Sequence, residues 1–297
     1  MNYFIGIDIG GTNIRASILD ENYNIVDKFK LENKVKLGPV ENITMLCDEI
    51  KKRWSEYEIK AIGVGCPGPL DLKNGIIINP PNLIGWENFK IKEFIQNQFN
   101  LPVAVNNDAN VAGYSEAKIG AAKGAESVYY ITLSTGVGGG FIYNGQIVNG
   151  FNNVAAELNN MIINEDKYSH SGLNQGGLEG QCSGVSISRI ATDRFGKEMS
   201  TKNVFEKAKK GNHVCEEILE KWILNISKAI ANIVVIVDPE VIVLGGSVIL
   251  HNQEYLEKIK QKVNELTFES VSVNIKLAQI GDDTGLIGSG ILASSIV

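Results

Sequence analysis

Apolar residues recur at two spacings along this chain, and the spacing changes every 10 to 30 positions. Short apolar runs predict buried strands at residues 3–8, 59–64, 103–107, 128–133, 241–244 and 271–277. Residues 13–19 and 140–143 each follow a glycine turn and read as returning hairpin strands, with 25–31 as a third strand beside the first pair. Spacing of three and four predicts helices at 43–54, 91–99, from 108 onward, and at 185–195, 204–209, 216–237, 255–266 and 286–296. The longest stripe places Ile218, Leu219, Trp222, Ile223, Ile226, Ile230, Ile233 and Val234 on one helix face. Ile5-Gly-Ile-Asp-Ile-Gly-Gly-Thr12 and Ile131-Thr-Leu-Ser-Thr-Gly-Val-Gly-Gly-Gly140 share one grammar of apolar strand, polar glycine turn and returning strand. That is one possible internal repeat, and it predicts two α/β lobes. Residues 1–115, rejoined by the terminal helix 285–297, are expected to form the N-terminal lobe, and residues 116–284 the C-terminal lobe.

Composition narrows the class. The 297 residues are 44% hydrophobic, which excludes wholesale disorder, and the 31 glycines show no fibrous period. A net charge of −6 argues against a protein built to hold nucleic acid or an anionic membrane. Cys47, Cys66, Cys182 and Cys215 are scattered, which fits a reducing compartment. Asp8 falls too early for a secretory signal, and Asp238-Pro239-Glu240 and Gly245-Gly246 break the most apolar stretch, so a cytoplasmic protein is expected.

Several segments carry groups suited to chemistry. Asp8-Ile-Gly-Gly-Thr12 and Ser134-Thr-Gly-Val-Gly-Gly-Gly140 are either ordinary hairpin bends with glycines at positive φ, or turns whose bare N–H groups receive phosphate. Neither is followed by the Lys-Ser/Thr of a Walker loop, and the first leads into a strand, unlike a Rossmann fingerprint. Asp8 would face a metal ion or its waters. Asn107-Asp108-Ala-Asn110 ends a strand and opens a helix, as a plain N-cap or as a rigid seat for a carboxylate that takes a proton from a hydroxyl. Glu157, Asn160 and Glu179 lie where periodicity fails, as solvated surface or as hydrogen-bonding partners for a sugar. Gly245-Gly246 either ends a strand or lets a nucleoside lie against backbone, and His170, His213 and His251 are not placed for catalysis.

Together with Gly65-Cys-Pro-Gly-Pro69, Pro81-Asn-Leu-Ile-Gly-Trp86, Ala156-Glu157, Gly176-Gly-Leu-Glu179 and Asp238-Pro-Glu240, these segments occur in one order that resembles the ROK family of sugar kinases and repressors. The resemblance runs almost end to end. It implies an actin-like (ribonuclease H-like) ATPase fold, α/β, with two lobes around an interlobe cleft. It implies Asp108 as the base that deprotonates a sugar 6-hydroxyl attacking the γ-phosphate of ATP, with Mg²⁺. By the same likeness Gly68, Asn82, Asn107, Asp108, Glu157, Asn160 and Glu179 hold the sugar. Asp8, Gly10, Gly11, Thr12, Asn13, Thr135, Gly136, Gly138, Gly245 and Gly246 hold the nucleotide. A homodimer is expected from the resemblance alone.

One departure is informative. The family's usual zinc site, a Gly-His followed by Cys-x-Cys-Gly-x-x-Gly-Cys-x-Glu, would place its ligands at Asn160, His170, Gly172 and Gly177. Only His170 could bind zinc there, and a tetrahedral site needs four N/S ligands, so no structural zinc is expected. Packing of Leu173 and Leu178 is expected to support the loop instead. The first strand begins near residue 2 with no basic helix before it, which favours a kinase over a DNA-binding repressor, and the intact Asn107-Asp108 pair speaks against a non-catalytic sugar sensor or an unrelated actin-like ATPase. N-acetylmannosamine is put first as the sugar, with glucose next.

Overall fold

Strand β1 (Tyr3–Ile9) turns at Gly10 to Thr12 and returns as β2 (Asn13–Leu19), followed by β3 (Ile25–Glu32). Helix α1 (Gly38–Trp54) then leads to β4 (Ile59–Cys66). A small hairpin of β5 (Leu70–Asp71) and β6 (Ile76–Ile77), which the sequence pattern did not signal, precedes α2 (Ile91–Phe99), β7 (Val103–Asn107) and α3 (Asp108–Lys118). The sheet order is β3-β2-β1-β4-β7, antiparallel across β1/β2 and parallel across β1/β4 and β4/β7.

The second half repeats this course. Strand β8 (Ser127–Leu133) turns into β9 (Val137–Tyr143), and a two-residue β10 (Gln146–Ile147) follows. Helices α4 (Leu178–Cys182), α5 (Gly184–Phe195), α6 (Thr201–Ala208) and α7 (His213–Val237) lead to β11 (Val241–Gly245). Helices α8 (Ser247–Leu250) and α9 (Leu256–Leu266) then precede β12 (Ile275–Leu277) and the last helix, α10 (Thr284–Ser294). Strands β9-β8-β11-β12 pair antiparallel, parallel and parallel, the same sequence as β2-β1-β4-β7, so the repeat read from two segments extends to the sheets. The strand expected over 271–277 is shorter, because only Ile275 to Leu277 find partners on β11.

The computed structural model describes residues 1–297, which divide into two units. One comprises Met1–Gly120, Gln146–Ala155 and Ile280–Val297; the other comprises Ala121–Gly145 and Ala156–Gln279. The division falls at Gly120 rather than after 115 because α3 is one continuous hydrogen-bonded element. In the first unit α10 lies on β1 and β4 so closely that a Cβ at Gly6 or Gly63 would stand 2.1 or 1.9 Å from a backbone oxygen of α10. Its core gathers Ile5, Ile7, Ile62 and Val64 with Leu46, Ile50 and Trp54 of α1. In the second unit all eight residues of the predicted α7 stripe are buried, with Trp222 against Phe205 and Tyr255. Asn212 caps α7 by accepting from Cys215 N–H at 3.1 Å. No helix is long and apolar enough to cross a membrane. The four cysteines are unpaired and buried.

Candidate active site

In the first unit, parallel pairing brings the carboxyl ends of β1, β4 and β7 side by side, with Asp8 opposite Gly65 and Cys66 opposite Asn107. Open parallel sheets bind ligands at this edge. The Gly10–Thr12 turn closes with Gly10 N–H donating to Asn13 O at 2.9 Å. Neither Gly10 nor Gly11 has positive φ, so the ordinary-bend account of these glycines does not hold. Space is what Gly11 lacks, since a Cβ there would lie 3.1 Å from Asn82 O. Asn33, which the sequence reading missed, braces the turn from behind. Its N–H donates to Thr12 O at 2.8 Å and its Nδ2 to Gly10 O at 2.8 Å. The N–H groups of Gly11 and Thr12 donate to nothing in the protein.

Asp8 is held by Arg15, its cross-strand partner in the hairpin register. Arg15 Nε donates to Asp8 Oδ2 at 2.9 Å and its terminal nitrogen meets the same oxygen, while Nη1 donates to Asp282 O at 2.8 Å. Oδ1 of Asp8 accepts no hydrogen bond. The sequence reading missed Arg15, which the hairpin register places opposite Asp8.

Asn107, not Asp108, is the N-cap of α3. Its Oδ1 accepts from Ala109 N–H at 2.9 Å and from Asn110 N–H at 3.4 Å, which leaves Nδ2, near Gly68, as its free donor. The buried Asn106 ties the junction together, accepting from Asn107 N–H at 2.8 Å and Asn110 Nδ2 at 2.9 Å and donating to Asn149 Oδ1 at 3.0 Å. Asp108 is thereby freed from capping duty. It is half-buried, and one oxygen accepts from Ala109 N–H at 2.8 Å. Burial, and then the negative charge of Asp8, push its pKa up to about 6, against the opposing pull of backbone N–H groups. Burial, and then the charges of Asp108 and Asp8, push the Cys66 thiol far up, so it stays a neutral, inert group.

In the second unit, the turn 134–138 is anchored by α5. Gly184 N–H donates to Ser134 O at 2.8 Å and Val185 N–H to Thr135 O at 3.4 Å. The N–H groups of Thr135 and Gly136 donate to nothing in the protein, whereas Val137 N–H donates to Glu179 Oε2 at 2.9 Å. At the neighbouring strand end, Gly245 and Gly246 are small because of β8: a Cβ at Gly245 would meet the Tyr130 hydroxyl at 2.4 Å, and one at Gly246 the Leu133 carbonyl oxygen at 2.4 Å. Close packing therefore explains both glycines.

The segment 157–179 is held without metal ligands. Asn160 Oδ1 accepts from Asn174 N–H at 2.6 Å, Asn160 O accepts from Asn174 Nδ2 at 3.4 Å, and Ile163 N–H donates to Gly176 O at 2.9 Å. These bonds use the amide oxygen of Asn160 and leave Nδ2 to a ligand. Leu178 is core, but Leu173 is only partly buried, so hydrogen bonding rather than the expected pair of leucines secures the loop. No group of three or more His, Cys, Asp or Glu is arranged to hold a metal ion. Arg189 stacks on Tyr168, 3.6 Å from its ring centre. His170 Nε2 lies 3.6 Å from Glu179 Oε1, and Glu157 is exposed.

Comparison with known proteins gives one answer. The profile of the ROK family matches residues 4–296. A glucokinase of Halalkalibacterium halodurans is 32% identical over 97% of this chain and 94% of its own. The crystal structure of a ROK hexokinase from Thermus thermophilus, 29% identical, matches 99% of this chain and 98% of that one with a TM-score of 0.92. A ROK glucokinase from Streptomyces griseus, solved with glucose and AMPPNP, is 26% identical over 99% of both chains with a TM-score of 0.81.

Proposed function

The chain belongs to the ROK family and has its actin-like ATPase fold, and from that premise we propose that it is an ATP-dependent sugar kinase acting on the 6-hydroxyl of a hexose. The observation that carries this reading is Asp108. It stands at the carboxyl end of a parallel strand, relieved of capping by Asn107, with a pKa of about 6. A base titrating just below neutrality is ionised at pH 7 yet still takes up a proton readily.

In the proposed reaction the sugar O6 forms a bond to the γ-phosphorus as the bond from that phosphorus to the β,γ-bridging oxygen breaks. ADP leaves, and the hydroxyl proton passes to Asp108 and then to solvent. Positioning and charge neutralisation supply most of the rate in such transfers. The unpaired N–H groups of Gly11, Thr12, Thr135 and Gly136 are suited to phosphate oxygens. Gly68, Asn82 and Asn107 Nδ2 of the first unit, and Glu157, Asn160 Nδ2 and Glu179 of the second, are each assigned to the sugar. The single uncommitted oxygen of Asp8 fits Mg²⁺, which is commonly held through one or two carboxylates and the substrate phosphates. Mg²⁺, when bound there, would neutralise phosphate charge. Gly245 and Gly246 retain the role of flanking the nucleoside, with their packing against β8 as an independent reason for their size.

The relatives named glucokinase bring glucose forward over N-acetylmannosamine, the sugar that the sequence reading put first. An ADP-release assay over glucose, N-acetylglucosamine, N-acetylmannosamine and fructose tests the proposal. Turnover of one sugar above the ATPase background is expected, and no turnover with any hexose would refute it. A homodimer belongs to the same proposal. Exposed Val235 and Ile236 on α7, with exposed Ile162 in the segment that meets Asn232, support it, and sedimentation equilibrium decides it.

A further inference from the structure

Glu179 divides its carboxylate between two neighbours. Oε2 accepts from Val137 N–H at 2.9 Å, in the turn assigned to phosphate. Oε1 faces His170 Nε2 at 3.6 Å, in the loop that follows the sugar-assigned Glu157. The backbone of Glu179 is fixed as well. Its carbonyl accepts from Ser186 Oγ at 2.7 Å and from Ser183 N–H at 3.2 Å. The far side of the turn is fixed by Gly184 and Val185 of α5. The carboxylate is thus the one adjustable member between a braced helix and a braced turn.

Gly136 reports the same contact from the other side. Its φ lies outside the left-handed region, so the backbone does not call for glycine. A Cβ there would stand 2.6 Å from Glu179 Oε2 and 3.3 Å from Cδ. What Gly136 leaves open is the seat of this carboxylate.

We propose that Glu179 is a positioning residue that couples the two substrates: sugar hydroxyls on the carboxylate hold it against Val137 N–H and so set the turn that receives the nucleotide phosphates. The proposal rests on the kinase reading above. Because linkage is reciprocal, nucleotide tightens sugar binding by the same factor. A charge-assisted hydrogen bond gained or lost with ligand occupancy corresponds to coupling of about tenfold.

Two measurements test it. In the wild-type chain, calorimetry gives the affinity for AMPPNP alone and with saturating D-glucose, or with whichever panel sugar the ADP-release assay turns over. Tightening of about five- to tenfold is expected, and equal affinities would overturn the proposal. The second uses Gly136→Ala. Its methyl meets the free end of a flexible side chain, so it displaces the carboxylate and leaves the turn's φ permitted. Expected are a sugar KM raised about tenfold, a smaller change in nucleotide KM and loss of the calorimetric coupling. The double variant Gly136→Ala, Glu179→Asp should be no worse than Glu179→Asp alone, since both act on one contact. A Gly136→Ala enzyme altered only in nucleotide KM, or additive effects in the double variant, would also overturn it. If Gly136→Ala fails to fold, the wild-type calorimetry still decides. A chain that phosphorylates no sugar defeats the kinase reading instead, at the assay that precedes these experiments.

Discussion

The raised pKa of Asp108 makes a quantitative claim about activity against pH. With a pKa of about 6, about nine-tenths of the free enzyme carries the base form at pH 7 and about one-tenth at pH 5. An Asp at its ordinary 3.8 would remain more than about nine-tenths ionised at pH 5. For the sugar, kcat/KM at saturating ATP should therefore rise about tenfold between pH 5 and pH 7 and level off above it. The perturbation is Asp8→Asn. It removes the neighbouring negative charge and also frees the Arg15 guanidinium that Asp8 now neutralises. Both changes favour the ionised form of Asp108, so the acidic limb should move to lower pH in whatever activity remains. Because burial is the larger cause, the limb should stop short of the ordinary range. The assay is ADP release from pH 5 to 8 in buffers of constant ionic strength. A wild-type profile flat down to pH 5, or a limb displaced to higher pH in Asp8→Asn, would refute the reasoning.

Asp108→Asn should retain sugar binding in calorimetry and lose about 10²–10⁴ in kcat; unchanged turnover would remove Asp108 from the chemistry. Because the folded state holds the Asp108 proton more tightly than the unfolded chain, wild-type stability falls as pH rises from about 4 to 6. Thermal melts at pH 7.5 should accordingly place Asp108→Asn above wild type, by on the order of 1 kcal/mol after solvent screening, with the gap closing toward pH 4. Ala156, just before Glu157, has φ +64°, where a Cβ is strained, so Ala156→Gly should raise stability by about 1 kcal/mol in urea titration. Metal analysis should find no stoichiometric zinc in the purified chain, and a zinc chelator should leave sugar turnover unchanged; one zinc per chain would overturn the account of the loop at 157–179.

What the sequence disclosed follows the range of the interaction concerned. The hairpins, the α7 stripe and the β7–α3 junction were legible because their periods and caps are written in adjacent residues. Arg15 was legible in principle, since a two-residue tip, Gly11 and Thr12, closed by the Gly10–Asn13 bond puts it across from Asp8, but it lies outside any motif. Asn33 and the Glu179–Val137 bond were not legible. The residues in that bond are 42 positions apart, and nothing local marks their meeting. The assignment of Gln146–Ala155 to the first unit was hidden for the same reason, as its tie to Asn106 is a single amide pair across 43 positions. Gly245-Gly246 misled in a different way. Bare backbone invites a ligand, but here strand-to-strand contact already requires it.

The repeated frame also separates what is shared from what is particular in the two turns. Both follow the central strand of equivalent sheets and both leave two N–H groups without partners. Their braces differ in charge. A neutral amide, Asn33, holds two carbonyl oxygens of the first turn, so its donors remain fully available to an anion. In the second, the Glu179 carboxylate takes a donor and brings a negative charge beside the remaining two. That charge opposes phosphate unless something else engages it. In the proposed function a sugar hydroxyl does so by donating to Glu179 and dispersing its charge, which makes ordered or synergistic binding the physical consequence of bracing one turn with an acid and the other with an amide.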